Sequence, residues 1–273
     1  MRFIEAIVLG VIQGLTEFLP ISSSGHLEIG KAIFGNEIMG QESLFMTLVL
    51  HFGTALSTIV VFKKEIYEII KGISYFKKNE HTQFSIKIII SMIPATIVGL
   101  FFQEQIETLF TKNMVLVGAM LLLTAVILFI SDLTSDMKKK ISFFNAFILG
   151  IVQSVAILPG ISRSGSTIAS AVLLGVDRKK ATSFSFLMVL PLIFGSMVKI
   201  IFDMETVPQN INIINLTLGF AAAFVSGIFA CKWMITFVKK SKLKYFSYYC
   251  LFIGGITIFY GLFLRKIQGR EFT

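Results

Sequence analysis

Charge is scarce in this chain. Asp, Glu, Lys and Arg make up only 15% of its 273 residues, against about 25% in a typical soluble domain. Cysteine is nearly absent: Cys231 and Cys250 both sit inside apolar segments, where they read as small buried hydrophobes and say nothing of a redox compartment. Also missing is the barrel signature of alternating segments of about ten residues separated by turns, which argues against a transmembrane β-barrel. No cleavable signal peptide is evident, since the first apolar segment, Phe3 to Pro20, contains Glu5, Gln13 and Glu17 and no small-x-small cleavage site.

What fills the chain instead is hydrocarbon. Apolar residues make up 55% of it and mean hydropathy is +0.80. The stretches 44–62, 84–102, 114–131, 184–202, 214–238 and 245–264 are each close to the roughly 20 residues that cross a bilayer as helix. Helices are required there, because only they satisfy their own backbone hydrogen bonds in lipid. The net charge of +9 would suggest nucleic acid in a soluble protein. Here most Lys and Arg lie in short connections beside apolar segments, so topology and lipid headgroups account for them and nucleic acid is excluded as a partner. The connections at 63–83, 138–140 and 239–244 are rich in lysine and are expected in the cytoplasm. Those at 103–113 and 203–213, with Glu104, Glu107, Asp203 and Glu205, are expected outside. Arg265, Lys266 and Arg270 would then be external, against the usual bias.

An internal repeat organises the whole. Leu9-Gly10-Val11-Ile12-Gln13 recurs as Leu149-Gly150-Ile151-Val152-Gln153, and Ile21-Ser22-Ser23-Ser24-Gly25 as Ile161-Ser162-Arg163-Ser164-Gly165, both at an offset of 140. Each half reads as a Pro/Gly/Ser-interrupted apolar segment followed by three spans. An odd number of crossings inverts the second half relative to the first, and broken segments in such repeats meet near the midplane to form the site. The expectation is an all-α polytopic membrane protein, one membrane domain over 1–273, with about six transmembrane helices plus two re-entrant helix pairs. Repeat 1 covers 1–135 with its re-entrant pair at 3–42. Repeat 2 covers 141–273 with its pair at 141–180. The alternative is eight ordinary spans with kinks.

Polar groups concentrate at the two breaks. Gln13 and Glu17, four apart, share a helix face, and Ser22, Ser23, Ser24 and His26 follow within a few residues. Ionisable groups at that depth mark function by default; the plainer reading puts Glu17 near the interface and the serines at a helix cap. In the second break, Arg163 stands among Gly160, Ser162, Ser164 and Thr167. A guanidinium at the start of an apolar helix is an anion site, unless it merely snorkels to the interface. One half thus supplies acid, imidazole and hydroxyls, and the other a cation, which suits a diphosphate ester. His51, mid-span, reads as a hydrogen-bonded buried histidine or as a cavity-lining one. His81 reads as solvated, and the charged stretch 63–80 as a surface helix with intrahelical pairs.

The run Gln13-Gly14-Leu15-Thr16-Glu17-Phe18-Leu19-Pro20-Ile21-Ser22-Ser23-Ser24-Gly25-His26, with Pro159-Gly160-x-Ser162-Arg163-Ser164-x-x-Thr167, resembles the two signature motifs of the bacterial undecaprenyl-diphosphate phosphatases of the bacitracin-resistance type. The likeness covers essentially the whole chain. It implies a metal-dependent phosphatase, using magnesium or calcium, that converts the C55 isoprenyl diphosphate to the monophosphate carrier of cell-wall synthesis. It also implies a plasma-membrane location and a site open to the outer face. Its functional residues fall on Glu17, Ser23, His26 and Arg163 as catalytic groups and on Gln13 and Glu17 as metal ligands. Gln13, Ser22, Ser24, Gly160, Ser162, Ser164 and Thr167 fall to substrate binding. The first acidic position of the motif is Gln13 here, which removes a charge but leaves an amide oxygen for a hard cation. The attacking atom is left open between Ser23 activated by His26, His26 itself and a metal-bound water, with Ser23 and a His26 base the preferred pair. The partners implied are the lipid diphosphate and the bilayer, with a homodimer left open. A lipid-phosphate transporter using the same cavity is the alternative function.

Overall fold

A computed structural model of the chain describes residues 3–34, 41–74, 80–102, 105, 113–134, 138–203, 212–240 and 242–268. Regular structure among them is helical, apart from a lone β-bridge between Lys139 and Val176. Among the described residues twelve helices follow in order: α1 Phe3–Phe18, α2 Ser23–Phe34, α3 Gln41–Val61, α4 Lys63–Ser74, α5 Glu80–Phe101, α6 Met114–Asp132, α7 Phe143–Val155, α8 Arg163–Leu173, α9 Arg178–Met188, α10 Leu190–Asp203, α11 Ile213–Lys239 and α12 Leu243–Gln268.

Among the described residues, five stretches are long and apolar enough to cross a bilayer, and a sixth forms if the bent pair α3–α4 is one span. The protein is a polytopic membrane protein. Four of the spans expected from hydropathy coincide with α5, α6, α11 and α12. The fifth, expected at 44–62, is α3, beyond which the chain turns by 77° into the charged surface helix α4. The sixth begins earlier than its hydropathy suggests. Gly175, at φ +84°, closes α8, and Asp177 then caps α9 by accepting from Lys180 N at 3.0 Å. The polar run from Arg178 is therefore helical, and the candidate span is Arg178–Lys199 rather than 184–202. Pro191 lacks the donor that would reach back one turn, and α9 gives way to α10 at Val189. The loops expected outside, 103–113 and 203–213, fall largely beyond the described residues, as does Arg270.

Packing crosses between the halves. Helix α1 lies along α11, while α7, which carries the repeated motif, lies along α5; α6 and α12 pack on each other. The basic connections gather at one end of the bundle. There Lys140 pairs with Glu80, Asp177 N donates to Lys139 O at 3.1 Å, and Leu243 N donates to the Asp132 carboxylate at 3.0 Å. Arg178, 3% exposed, lies 4.0 Å from the same Asp132 and donates to Thr134 O, joining α6, α9 and α12.

Candidate active site at the paired helix breaks

Helix α1 ends where Pro20 follows it, and Ser22 takes the left-handed conformation, φ +69°, that swings the chain back into α2. The Ser22 hydroxyl accepts from Gly25 N at 3.2 Å and its carbonyl from His26 N at 3.2 Å, so it caps the returning helix. The second break is built alike. Gly160 has φ +95°, and a Cβ there would lie 2.3 Å from Val117 O, so only glycine fits. Ser162 caps α8 by accepting from Gly165 N, and Thr124 of α6 accepts from Ser162 N at 3.0 Å. The breaks touch: Ser164 Oγ donates to Leu19 O at 3.4 Å, and a Cβ on Gly165 would meet Pro20 at 2.9 Å.

Between them the functional side chains converge. Arg163 of α8 pairs with Glu17 Oε1 of α1, and its other terminal nitrogen donates to Ser185 O at 3.2 Å. Ser23 Oγ donates to Glu17 Oε2 at 2.8 Å. Gln13 Nε2 donates to the same oxygen at 3.0 Å and meets His51 Nδ1 at 3.0 Å. An amide nitrogen can only donate, so Nδ1 of His51 accepts. Glu17 is 8% exposed and Gln13 fully buried. Such a pair held away from water strengthens every charge interaction it makes. Thr167 supports the cation from below, donating to Arg163 O at 2.8 Å and bonding Ser185 Oγ at 2.6 Å. Ser24 reaches Ser22 at 3.3 Å and Ser162 reaches Ser164 at 3.4 Å, each pair within its own break.

One expected role changes. The preferred pairing of Ser23 with a His26 base is not what the geometry provides. His26 Nδ1 donates to Ser22 O at 2.8 Å, and Nε2 accepts from Tyr249 Oη at 2.8 Å, with the rings stacked. Both nitrogens are committed, and Ser23 turns to Glu17 instead. The imidazole faces an apolar groove of about 600 Å³ between α1, α2, α11 and α12, lined by Leu15, Ile33, Trp233, Phe237 and Tyr245 among others. In exchange His51, whose plainer reading was that of a buried histidine, stands 3.6 Å from Glu17. Its signal was available: it is the one ionisable residue in the apolar stretch 44–62. Tyr249 and Ser185 carried no such signal.

For a metal, the donor set is sparse. Among the described residues there is no group of three or more His, Cys, Asp or Glu that could hold one. Yet Gln13 Oε1 is buried without a hydrogen-bond partner, beside the site's carboxylate. An orphaned amide oxygen next to a carboxylate fits a magnesium-like ion that takes its remaining ligands from water and phosphate rather than from a protein cage.

Comparison with known proteins agrees in kind. Residues 6–256 match the family model described as bacitracin resistance protein BacA. The chain is 56% identical to the undecaprenyl-diphosphatase of Christiangramia forsetii over 95% of its own length and 98% of that protein's. It is 50% identical to that of Bacteroides fragilis, over 94% and 98%. With the protein of the same name from Methanococcus vannielii it shares 43%, over 94% and 99%.

Proposed function

The chain belongs to the bacitracin resistance protein BacA family, and on that footing we propose that it hydrolyses undecaprenyl diphosphate to undecaprenyl phosphate and inorganic phosphate. The observation that carries this reading is the meeting of Ser23, Glu17 and Arg163 at the contact of two helix breaks. A hydroxyl bonded to a carboxylate beside a guanidinium is a nucleophile, a proton acceptor and an anion holder in one place.

Arg163, with the backbone N–H groups at the start of α8, binds the diphosphate. Ser23 Oγ attacks the terminal phosphorus, its proton passes to Glu17 Oε2, and the bond to the bridging oxygen breaks to release the lipid monophosphate. Water then attacks the phosphoserine and frees phosphate. Gln13, itself donating to His51 Nδ1, holds Glu17 oriented from the far side. Glu17 and Gln13 would hold a divalent cation, magnesium or calcium, which when bound offsets charge on the transferred phosphate. The site opens to the outer face of the plasma membrane. In support, α3 runs from Gln41 toward the basic end at Lys63, so its first turns, beside α2, point away from the lysine-rich connections.

The test is phosphate release from a long-chain isoprenyl diphosphate by the detergent-purified protein, with magnesium, with chelator, and for Glu17→Ala and Arg163→Ala. Release that chelator and both substitutions abolish, with phosphate trapped on Ser23 in acid-quenched samples, is expected. Release without trapped phosphoserine would move the attack to water. A folded protein that releases nothing refutes the reading.

A further inference from the structure

Resting on the phosphatase reading, we propose that Lys31 is a substrate-binding residue, the second cation that receives the lipid diphosphate at the mouth of the site. The need for one follows from charge. Glu17 and Arg163 cancel each other, and Gln13 contributes an amide in place of a carboxylate. A terminal phosphate alone carries about 1.5 to 2 negative charges near neutral pH, and the lipid-linked phosphate adds to that. Even with a divalent cation offsetting the terminal phosphate, the lipid-linked phosphate leaves charge for a further positive group to meet, and Arg178 lies at the basic end, 4.0 Å from Asp132.

Lys31 has the right placement. Its ammonium lies 3.3 Å from Thr47 Oγ1 of α3 and 3.2 Å from Glu28 Oε1 of its own helix, with the side chain 21% exposed. Thr47 and His51 are four apart and share a face of α3, and His51 meets Gln13, which bonds Glu17. Polar side chains thus lead from Lys31 and Thr47, one turn from His51 on α3, to Gln13, Glu17, Ser23 and Arg163. Side chains on a helix lean toward its N-terminus, so Lys31 leans back along α2 toward Ser23. An ion pair serving only solubility would turn to solvent; this one turns inward onto α3. The contact with Glu28 is a modest tether, since pairs of this exposure are weak, and a diphosphate arriving from the α3 N-terminal end offers the ammonium a stronger partner.

The experiment uses the full chain in detergent, farnesyl diphosphate as substrate, and the variants Lys31→Met, Lys31→Arg and Glu28→Gln. Loss of one charge-assisted contact raises KM about tenfold or more in Lys31→Met, with kcat and the unfolding temperature held. Lys31→Arg recovers most of the affinity, and Glu28→Gln, which frees the ammonium from its competitor, lowers KM. Wild-type KM in Lys31→Met overturns the proposal. So does a parallel rise of KM in Lys31→Met and Glu28→Gln with a shared loss of thermal stability, which would mark a structural pair. Should the unaltered protein release no phosphate, the phosphatase reading falls on its own. Lys31 is then judged by binding of non-hydrolysable farnesyl methylenediphosphonate to the same variants, where unchanged affinity refutes it.

Discussion

The position of Glu17 depends on how closely α1 approaches α11, and Gly14→Ala tests that dependence. Gly10 and Gly14 form a small-residue stripe of the kind that lets membrane helices meet backbone to backbone. A Cβ on Gly14 would lie 1.9 Å from Ser226 Oγ, 2.6 Å from Ala223 O and 2.9 Å from Gly227 N. The hydroxyl can rotate away, but the other two atoms are backbone. Helix α1 must then retreat by several tenths of an ångström, up to about 1 Å, to restore ordinary contact. Overpacking of this kind costs about 1–3 kcal/mol. The retreat also carries Gln13 and Glu17, which flank the glycine, away from Arg163 on α8, and a displacement of about 1 Å can cost roughly a hundredfold in rate. We expect Gly14→Ala to melt several degrees lower in detergent and to lose ten- to a hundredfold in kcat with a smaller change in KM. Adding Ser226→Gly should recover only part of either loss, because the backbone contacts remain. Gly99→Ala in the last turn of α5 is the control: a Cβ there meets nothing within 4 Å, and replacing a helical glycine by alanine gains at most about 1 kcal/mol. A Gly14→Ala protein with unaltered melting and turnover would refute the reasoning.

Two further predictions concern buried charge and the displaced histidine. Asp132→Asn should destabilise the protein by about 3–5 kcal/mol, because it leaves Arg178 buried without its counter-charge; melting of the purified protein checks this, and Asp132→Leu with Arg178→Met should restore most of the loss. His26→Ala should retain far more turnover than Ser23→Ala, since the imidazole bonds Ser22 and Tyr249 rather than the attacking hydroxyl. Tyr249→Phe should then reproduce whatever His26→Ala loses, in steady-state phosphate release, and equal collapse of His26→Ala and Ser23→Ala would return the imidazole to the chemistry.

The sequence made the spans and the two breaks legible because lipid imposes a harsh rule: a polar or broken segment at that depth needs a reason. Glu17 and Arg163 could be singled out on that ground alone, and the exchange of Ser23 for Arg163 between the repeats pointed to a composite site. Two things stayed hidden. The start of α9 was masked by the polar run Arg178-Lys179-Lys180, which falls at the end of the re-entrant pair expected over 141–180 although Asp177 caps it as the start of a new helix. The direction of His26 was masked because Ser23 and His26 lie three apart on α2 and so are plausible neighbours. What turns the ring away is Tyr249, 223 residues distant, and no local pattern announces such a partner.

The pairing of Glu17 with Arg163 spans 146 residues, and α1 packs most extensively, among the described residues, along α11. A nascent chain that has delivered its first half to the bilayer therefore holds a carboxylate with no cation and a glycine stripe with nothing against it. Both conditions are costly in hydrocarbon, and contacts so distant in sequence close slowly. Helix α1 cannot settle at its final depth until α8 and α11 have arrived. Completion of the polypeptide and assembly of the active centre are thus one event, and a chain interrupted midway is left unsealed as well as inactive, its first helix exposed to whatever surveys the membrane for unfinished proteins.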